Sequence, residues 1–242
     1  MVKGRVALVT GGSGGIGAAL CRALAKEGAT VAVHFRDRSE LAEAIVADIV
    51  GGGGRAAAFP ADLLVPRASE LLVDAVEASL GPVDVLVANH GHAHKASFDE
   101  VDAGAWDETL AINLRAPFLL AQRVIPGMRD RGFGRILFVS SVAGFTGGIV
   151  GPHYAASKAG LHGLTYHLAS RVAEAGITVN ALAPALIEST DMLPGDPGFL
   201  QRAIPVGRLG TPNEVADMAV AILKNGYLTS KVVSLDGGMH PR

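Results

Sequence analysis

One short segment of this chain pairs a phenol with an amine. Tyr154 and Lys158 stand four residues apart in GPHYAASKAG. They open a stretch with helical spacing, so their side chains share one helix face, roughly 5–6 Å apart at Cβ. An ammonium beside a phenol favours the phenolate and lowers its pKa. A tyrosine tuned in that way can pass a proton to or from a carbonyl oxygen. Ser140 and Ser141 close the apolar run RILFVSS, and Asn89 closes VDVLVAN. A serine hydroxyl at such a strand end can donate to an oxyanion as it develops. A second segment, TGGSGGIG at Thr10–Gly17, satisfies G-x-G-x-x-G through glycines 12, 14 and 17. Glycines 11, 15 and 17 satisfy a G-x-x-x-G-x-G variant. Bare backbone approaches a pyrophosphate closely, and the amino end of a following helix offers free N–H groups and partial positive charge.

These groups meet only if the chain delivers them to one place. Strands are predicted at Arg5–Thr10, Thr30–Phe35, Ala56–Phe59, Val83–Ala88, Arg135–Ser140, Thr178–Ala183 and Val232–Leu235. Several are apolar almost throughout, which suits parallel strands covered on both faces. Helical spacing runs through Ile16–Glu27, Glu40–Val50, Ala68–Ser79, Trp106–Arg129, Tyr154–Ala173 and Asn213–Leu223. This alternation predicts an α/β chain with right-handed crossovers and a doubly wound sheet. No linker interrupts it, so residues 1–242 read as a single domain. Gly51–Gly54 follows no strand end and reads as a surface turn. Gly11–Gly17 follows the first strand directly, where such sheets bind ligands.

The second strand ends in VAVHFRDRS. Arg36 there favours a ribose 2′-phosphate and hence NADP(H). Asp37, at the expected distance from the glycines for a ribose hydroxyl, keeps NAD(H) open. His90, His92 and His94 alternate, so an extended backbone would place all three on one side. No acidic or cysteine ligand accompanies them, and the reading is a polar wall for a substrate, with solvent-facing loop histidines as the alternative, rather than a metal site. His153 is expected to join that wall. Met192, Leu193, Phe199 and Leu200 form either a mobile apolar lid or an ordinary packed loop.

Composition excludes several other classes. Of 242 residues, 49% are hydrophobic and 18% charged, enough for a substantial core. The formal net charge is -2, and the mixed Arg36-Asp37-Arg38 triplet is no polybasic patch, so nucleic acid is not an expected partner. The single cysteine, Cys21, falls in an apolar helical pattern and reads as packing in a reducing compartment. No stretch reaches the roughly 18–20 apolar residues of a membrane span. The amino-terminal MVKGRVALVTGG lacks the pattern of a signal peptide. A cytoplasmic protein without membrane partners is expected.

Taken in order, these motifs resemble a known family. The chain is similar, end to end, to single-domain short-chain dehydrogenases/reductases with a Rossmann-like fold of seven parallel strands. The resemblance rests on TGxxxGxG at Thr10–Gly17, Asp62 after the third strand, Asn89-x-Gly91, Asn113, Ser141 and Tyr154-x-x-x-Lys158. It implies hydride transfer between a nicotinamide and a carbonyl or secondary alcohol, with Asn113, Ser141, Tyr154 and Lys158 as a catalytic tetrad. In that scheme Asn113 positions Lys158 through water, and Lys158 holds the nicotinamide ribose and tunes Tyr154. Ser141, rather than Ser140, orients the substrate carbonyl. Implied cofactor contacts begin at Gly11, Ser13, Gly14, Ile16 and Gly17. They continue through Arg36, Asp62 at the adenine, Leu63, Asn89 and Gly91. Beyond Tyr154 and Lys158 they include Pro184, Ile187 and either Ser189 or Thr190. Substrate contacts fall to His92, His94, His153 and Met192.

Segments such as YAASKAGL, GITVNALAP and GRLGTPNEVA resemble 3-oxoacyl-[acyl-carrier-protein] reductases. The family's usual Asn-Ala-Gly reads Asn89-His90-Gly91 here, and its Pro-Gly reads Pro184-Ala185. Glu174 and Ala175 stand where a basic residue would greet an acidic carrier protein. A small-molecule substrate, either an acyl thioester or a free ketone, sugar or steroid-like alcohol, is expected. A homotetramer packed through Trp106–Arg129 and Tyr154–Ala173 is implied as well. A nucleotide sensor without chemistry is the alternative of another class; it would need neither Tyr154, Lys158 nor Ser141.

Overall fold

Strands whose residues are apolar at both odd and even positions must be covered on both faces, and the fold follows from that requirement. The computed structural model describes residues 2–65, 67–190, 197–202 and 204–240. In chain order, β1 (Val6–Val9), α1 (Gly15–Lys26), β2 (Thr30–Phe35), α2 (Ser39–Gly51), β3 (Arg55–Pro60), α3 (Ala68–Leu80) and β4 (Val83–Ala88) make the first half. Next come α4 (Ala103–Leu110), a π-helical turn at Ala111–Arg115, α5 (Ala116–Asp130), β5 (Gly134–Val139), the one-turn α6 (Ala143–Thr146) and α7 (Pro152–Val172). The chain then runs through β6 (Ile177–Pro184), α8 (Pro197–Gln201), α9 (Pro212–Lys224) and β7 (Lys231–Leu235).

The seven strands lie in the order β3-β2-β1-β4-β5-β6-β7, and every pairing is parallel. Alternate side chains point to opposite faces. Leu8, Leu86, Ile136 and Phe138 meet Leu120 and Val124 of α5 and Leu161 and Val172 of α7 on one face. Val9, Val87, Leu137 and Val139 meet Leu20 and Leu24 of α1 and Val215 and Ala219 of α9 on the other. β1 and β4 are neighbours, yet the chain leaves them toward opposite faces. That divergence opens a crevice at their carboxyl ends.

The expected elements are present, with ends displaced by no more than two residues, except at Trp106–Arg129. There the helix starts earlier, because the Asp102 carboxylate accepts the Ala105 N–H at 2.8 Å and caps it. It is also broken into two α segments. The Ala116 N–H reaches back five residues to the Ala111 carbonyl, and Pro117 has no N–H with which to continue the α ladder. The short α6 and α8 carry too few residues to show a period.

β7 is an edge strand, held partly by one side chain. Asn180 in β6 is buried; its Nδ2 donates to the Leu228 carbonyl at 2.8 Å and its Oδ1 accepts the Lys231 N–H at 3.1 Å. Asn180→Ala leaves both backbone groups without that partner. It is expected to lower unfolding free energy in urea by about 1–3 kcal/mol. A midpoint within error of the parent protein would mean that the edge strand does not depend on this amide.

Candidate active site

The crevice is a cleft of about 430 Å³, within the usual size of a small-molecule site. Its floor is the glycine turn. Gly11 adopts a left-handed φ of 63°, and Gly14 caps α1 with no side chain to fill the first-turn N–H groups. A Cβ on Gly17 would collide with the Gly11 carbonyl oxygen, and one on Gly15 with the Ser189 carbonyl oxygen. The floor is therefore bare backbone; the N–H groups of Gly11, Gly12 and Gly14 are bonded within the fold, and the first-turn N–H groups of α1 that follow fit an elongated diphosphate. Ser13 and Ile16 line it as well.

Two histidines fasten this floor from below. His34, one residue before the end of β2, is buried and accepts the Gly11 N–H on Nδ1 at 3.0 Å. Its Nε2 faces the Ala61 carbonyl at 3.0 Å. A backbone N–H needs a lone pair and a carbonyl needs a proton, so the ring is neutral and protonated on Nε2. Burial agrees with this, pushing its pKa down to about 4. In the sequence His34 is a polar residue between apolar Val33 and Phe35, with no local pattern that marks its contact with Gly11.

His90 stands T-shaped to His34, with ring centroids 6.4 Å apart. Its Nδ1 lies 2.6 Å from Thr10 Oγ1 and its Nε2 3.0 Å from the Ile112 carbonyl. Burial, aided by His34 and Lys158, pushes its pKa down to about 3. The anticipated side-by-side row of His90, His92 and His94 is not formed. His90 turns inward to these partners. The backbone N–H and carbonyl of His92 are both taken by the Asn113 side chain, at 2.7 and 2.9 Å. His94 is exposed and does not line the cleft.

Toward the adenine side expected from the sequence, Arg36, Asp37, Asp62 and Leu63 line the rim. The Arg36 guanidinium donates to the Asp37 carboxylate at 2.9 and 3.2 Å, and both side chains are exposed. Asp62 accepts the Leu64 N–H at 3.0 Å and Leu63 is buried beneath. Asn89 donates from Nδ2 to the Thr10 and Gly11 carbonyls at 3.0 and 3.2 Å, and Gly91 follows it in the wall. Across the cleft stand Pro184, Ile187 and Thr190, whose hydroxyl donates to the Ile187 carbonyl at 3.0 Å. Ser189 is exposed and outside the lining.

Tyr154 and Lys158 sit in the first turns of α7, both buried, with the Lys158 Nζ 5.7 Å from the Tyr154 ring centroid. Nζ donates to the Val139 carbonyl at 2.9 Å, and burial pushes its pKa down to about 8. Burial also raises the Tyr154 pKa, with a hydrogen bond from Ser141 pulling the other way. The sequence expectation that Lys158 lowers it is thus corrected: the amine turns to a backbone carbonyl, and desolvation of the phenolate dominates. Ser141 lines the cleft, whereas the Ser140 hydroxyl is spent on the Lys158 carbonyl at 3.0 Å and on His162 at 2.8 Å. Asn113 lies in the π turn, fully buried, and its Nδ2 also reaches Ser157 Oγ at 3.0 Å.

Gly148, Ile149 and Val150 form the wall on the Tyr154 side; the sequence reading had not singled them out. His153 is fully buried behind it and outside the lining, and neither ring nitrogen has a hydrogen-bond partner among the described residues. Leu200 packs against Ile204 and Leu209. Met192 and Leu193, like the Phe199 side chain, lie outside the described residues.

A protein-family model described as short chain dehydrogenase matches residues 5–196. An acetoacetyl-CoA reductase of Rhizobium meliloti (strain 1021) is 40% identical over 98% of both chains. A 3-oxoacyl-[acyl-carrier-protein] reductase of Synechocystis sp. is 35% identical, over 97% of this chain and 96% of its own. Among solved structures, a blue fluorescent protein from a metagenomic library, in complex with NADPH, superposes with a TM-score of 0.92. It is 36% identical over 99% of both chains.

Proposed function

The chain belongs to the short-chain dehydrogenase/reductase family, and from that premise we propose a reductase of small 3-oxoacyl thioesters in which Tyr154 donates the proton. It is an NAD(P)-dependent oxidoreductase acting on C=O or CH–OH groups. The observation that carries the finer reading is a buried Tyr154 phenol facing the Ser141 hydroxyl in the same cleft as the bare glycine floor. Residues 1–242 act as one dinucleotide-binding domain.

The bound nicotinamide supplies or takes up the hydride. The chain's own groups do the rest. The N–H groups of Gly15, Ile16 and Gly17 would hold the diphosphate, with Gly11, Ser13, Gly14, Ile187 and Thr190 around it. Asp62 and Leu63 would bracket the adenine; Asn89, Gly91 and Pro184 would shape the nicotinamide end. Ser141 donates to the substrate oxygen as negative charge grows on it. Tyr154 delivers the proton to that same oxygen. Its raised pKa keeps the phenol protonated at neutral pH, the form that reduction needs. Lys158 would steady the ribose. Asn113 holds the turn beside them. His92 lies in the wall where the acyl group enters.

Arg36 supports NADP(H) over NAD(H). Its pairing with Asp37 cancels the carboxylate that would repel a 2′-phosphate and leaves guanidinium N–H groups at the rim. The names of the relatives support a thioester carbonyl. A second reading, a free ketone, draws on Glu174, which is exposed where an acidic carrier protein would meet it. Exposed Trp106, Phe118 and Tyr166 on the α4, α5 and α7 face support packing between subunits of a homotetramer. No helix among the described residues is long and apolar enough to cross a membrane. The buried free thiol of Cys21 is in keeping with the cytoplasm.

Tyr154→Phe is expected to cut kcat by about 10²-fold or more while nucleotide affinity stays nearly constant; a full-speed variant would remove the assignment. Arg36→Ala should raise KM for NADPH by about tenfold and change KM for NADH far less, whereas an equal change would make Arg36 a bystander. Acetoacetyl thioesters should turn over faster than any member of a free-ketone panel. Turnover of ketones alone would replace the thioester reading.

A further inference from the structure

The π turn that carries Asn113 interrupts the backbone ladder at Ile112. Ala116 donates to Ala111, five residues back. By the same step, the Ile112 carbonyl would receive its bond from Pro117, which has no N–H. Ile112 is buried, and a buried carbonyl left unpaired is costly. The donor that reaches it comes from another part of the fold: His90 Nε2, at 3.0 Å. Because a carbonyl only accepts, that nitrogen carries the ring proton. Nδ1 therefore accepts from the Thr10 hydroxyl at 2.6 Å, and Thr10 Oγ1 in turn accepts the N–H groups of Asn89 and His90 at 3.1 and 3.3 Å.

We propose that His90 is a positioning residue, filling the vacancy that Pro117 creates at Ile112 and so fixing the turn that presents Asn113 to the site. The chain runs from Thr10 at the end of β1, through the imidazole, to Ile112. One residue further on, Asn113 clamps the His92 backbone and Ser157, and the Ser157 hydroxyl donates to the Tyr154 carbonyl at 2.7 Å. Alanine, the residue more usual between asparagine and glycine in chains of this kind, offers no donor at that place. The proposal rests on the reading of Asn113 and Tyr154 as working groups of the reductase.

Two amide side chains separate the ends of the imidazole. Glutamine carries an N–H where Nε2–H stands, and asparagine carries a carbonyl oxygen where Nδ1 stands. The experiment measures kcat, KM, nucleotide Kd and Tm for His90→Gln, His90→Asn and His90→Ala. His90→Asn and His90→Ala are expected to lose about tenfold in kcat with nucleotide Kd little changed, and His90→Gln to regain most of it. In an Asn113→Ala background, His90→Ala should cost almost nothing more, because both act through one turn. Equal rates for the glutamine and asparagine variants would overturn the proposal. So would a loss that follows nucleotide Kd, or full additivity with Asn113→Ala. Should the alanine variant fail to fold, the glutamine–asparagine comparison decides alone. Failure of the underlying chemical reading shows separately, as a fully active Tyr154→Phe enzyme.

Discussion

A lysine amine enclosed almost without solvent is the constraint around which this site is built. Among the described residues the Val139 carbonyl replaces the water of Lys158. An ammonium so placed loses hydration, and its pKa falls toward neutrality. The amine keeps this partner only while the end of β5 and α7 hold their relative positions. The same enclosure acts on Tyr154 in the opposite sense and keeps its proton in place. Burial sets both groups before any ligand arrives.

The sheet supplies this enclosure by splitting labour between its faces. The helix that opens on the bare glycine floor packs on one face, and the helices carrying Asn113 and the Tyr154–Lys158 pair pack on the other. Only at the β1–β4 boundary do groups from both faces reach a common space. His34 and His90 fasten the two sides of that boundary. One secures the glycine turn to β2 and β3, the other ties β1 and β4 to the π turn.

What the residues revealed in advance follows from the range of each interaction. Strands and helices were legible because burial on two faces writes an unbroken apolar run, and burial on one writes a helical period. The Tyr154–Lys158 neighbourhood was legible because four residues are one helical turn. The direction of the Tyr154 shift was not, since spacing reports a neighbour but says nothing of lost water. His34 meets Gly11 across 23 residues and His90 meets Thr10 across 80; no local pattern encodes such contacts. The break at Ala111–Arg115 hid inside a continuous period, although Pro117 was its visible cause. His92, His94 and His153 looked alike as letters, and the backbone sorted them into a wall residue, an exposed residue and a buried one.

The two ends of the cleft differ in how much change they can absorb. At Gly15 and Gly17 even a methyl group strikes a carbonyl oxygen, so the dinucleotide end is closed to variation. At the opposite end Ile149, in the cleft wall, is 56% exposed. Lineages descending from this scaffold are therefore free to diverge in what they reduce far more readily than in what they reduce it with. A designer seeking new carbonyl compounds inherits that same asymmetry, with diversity centred on the exposed wall residue Ile149.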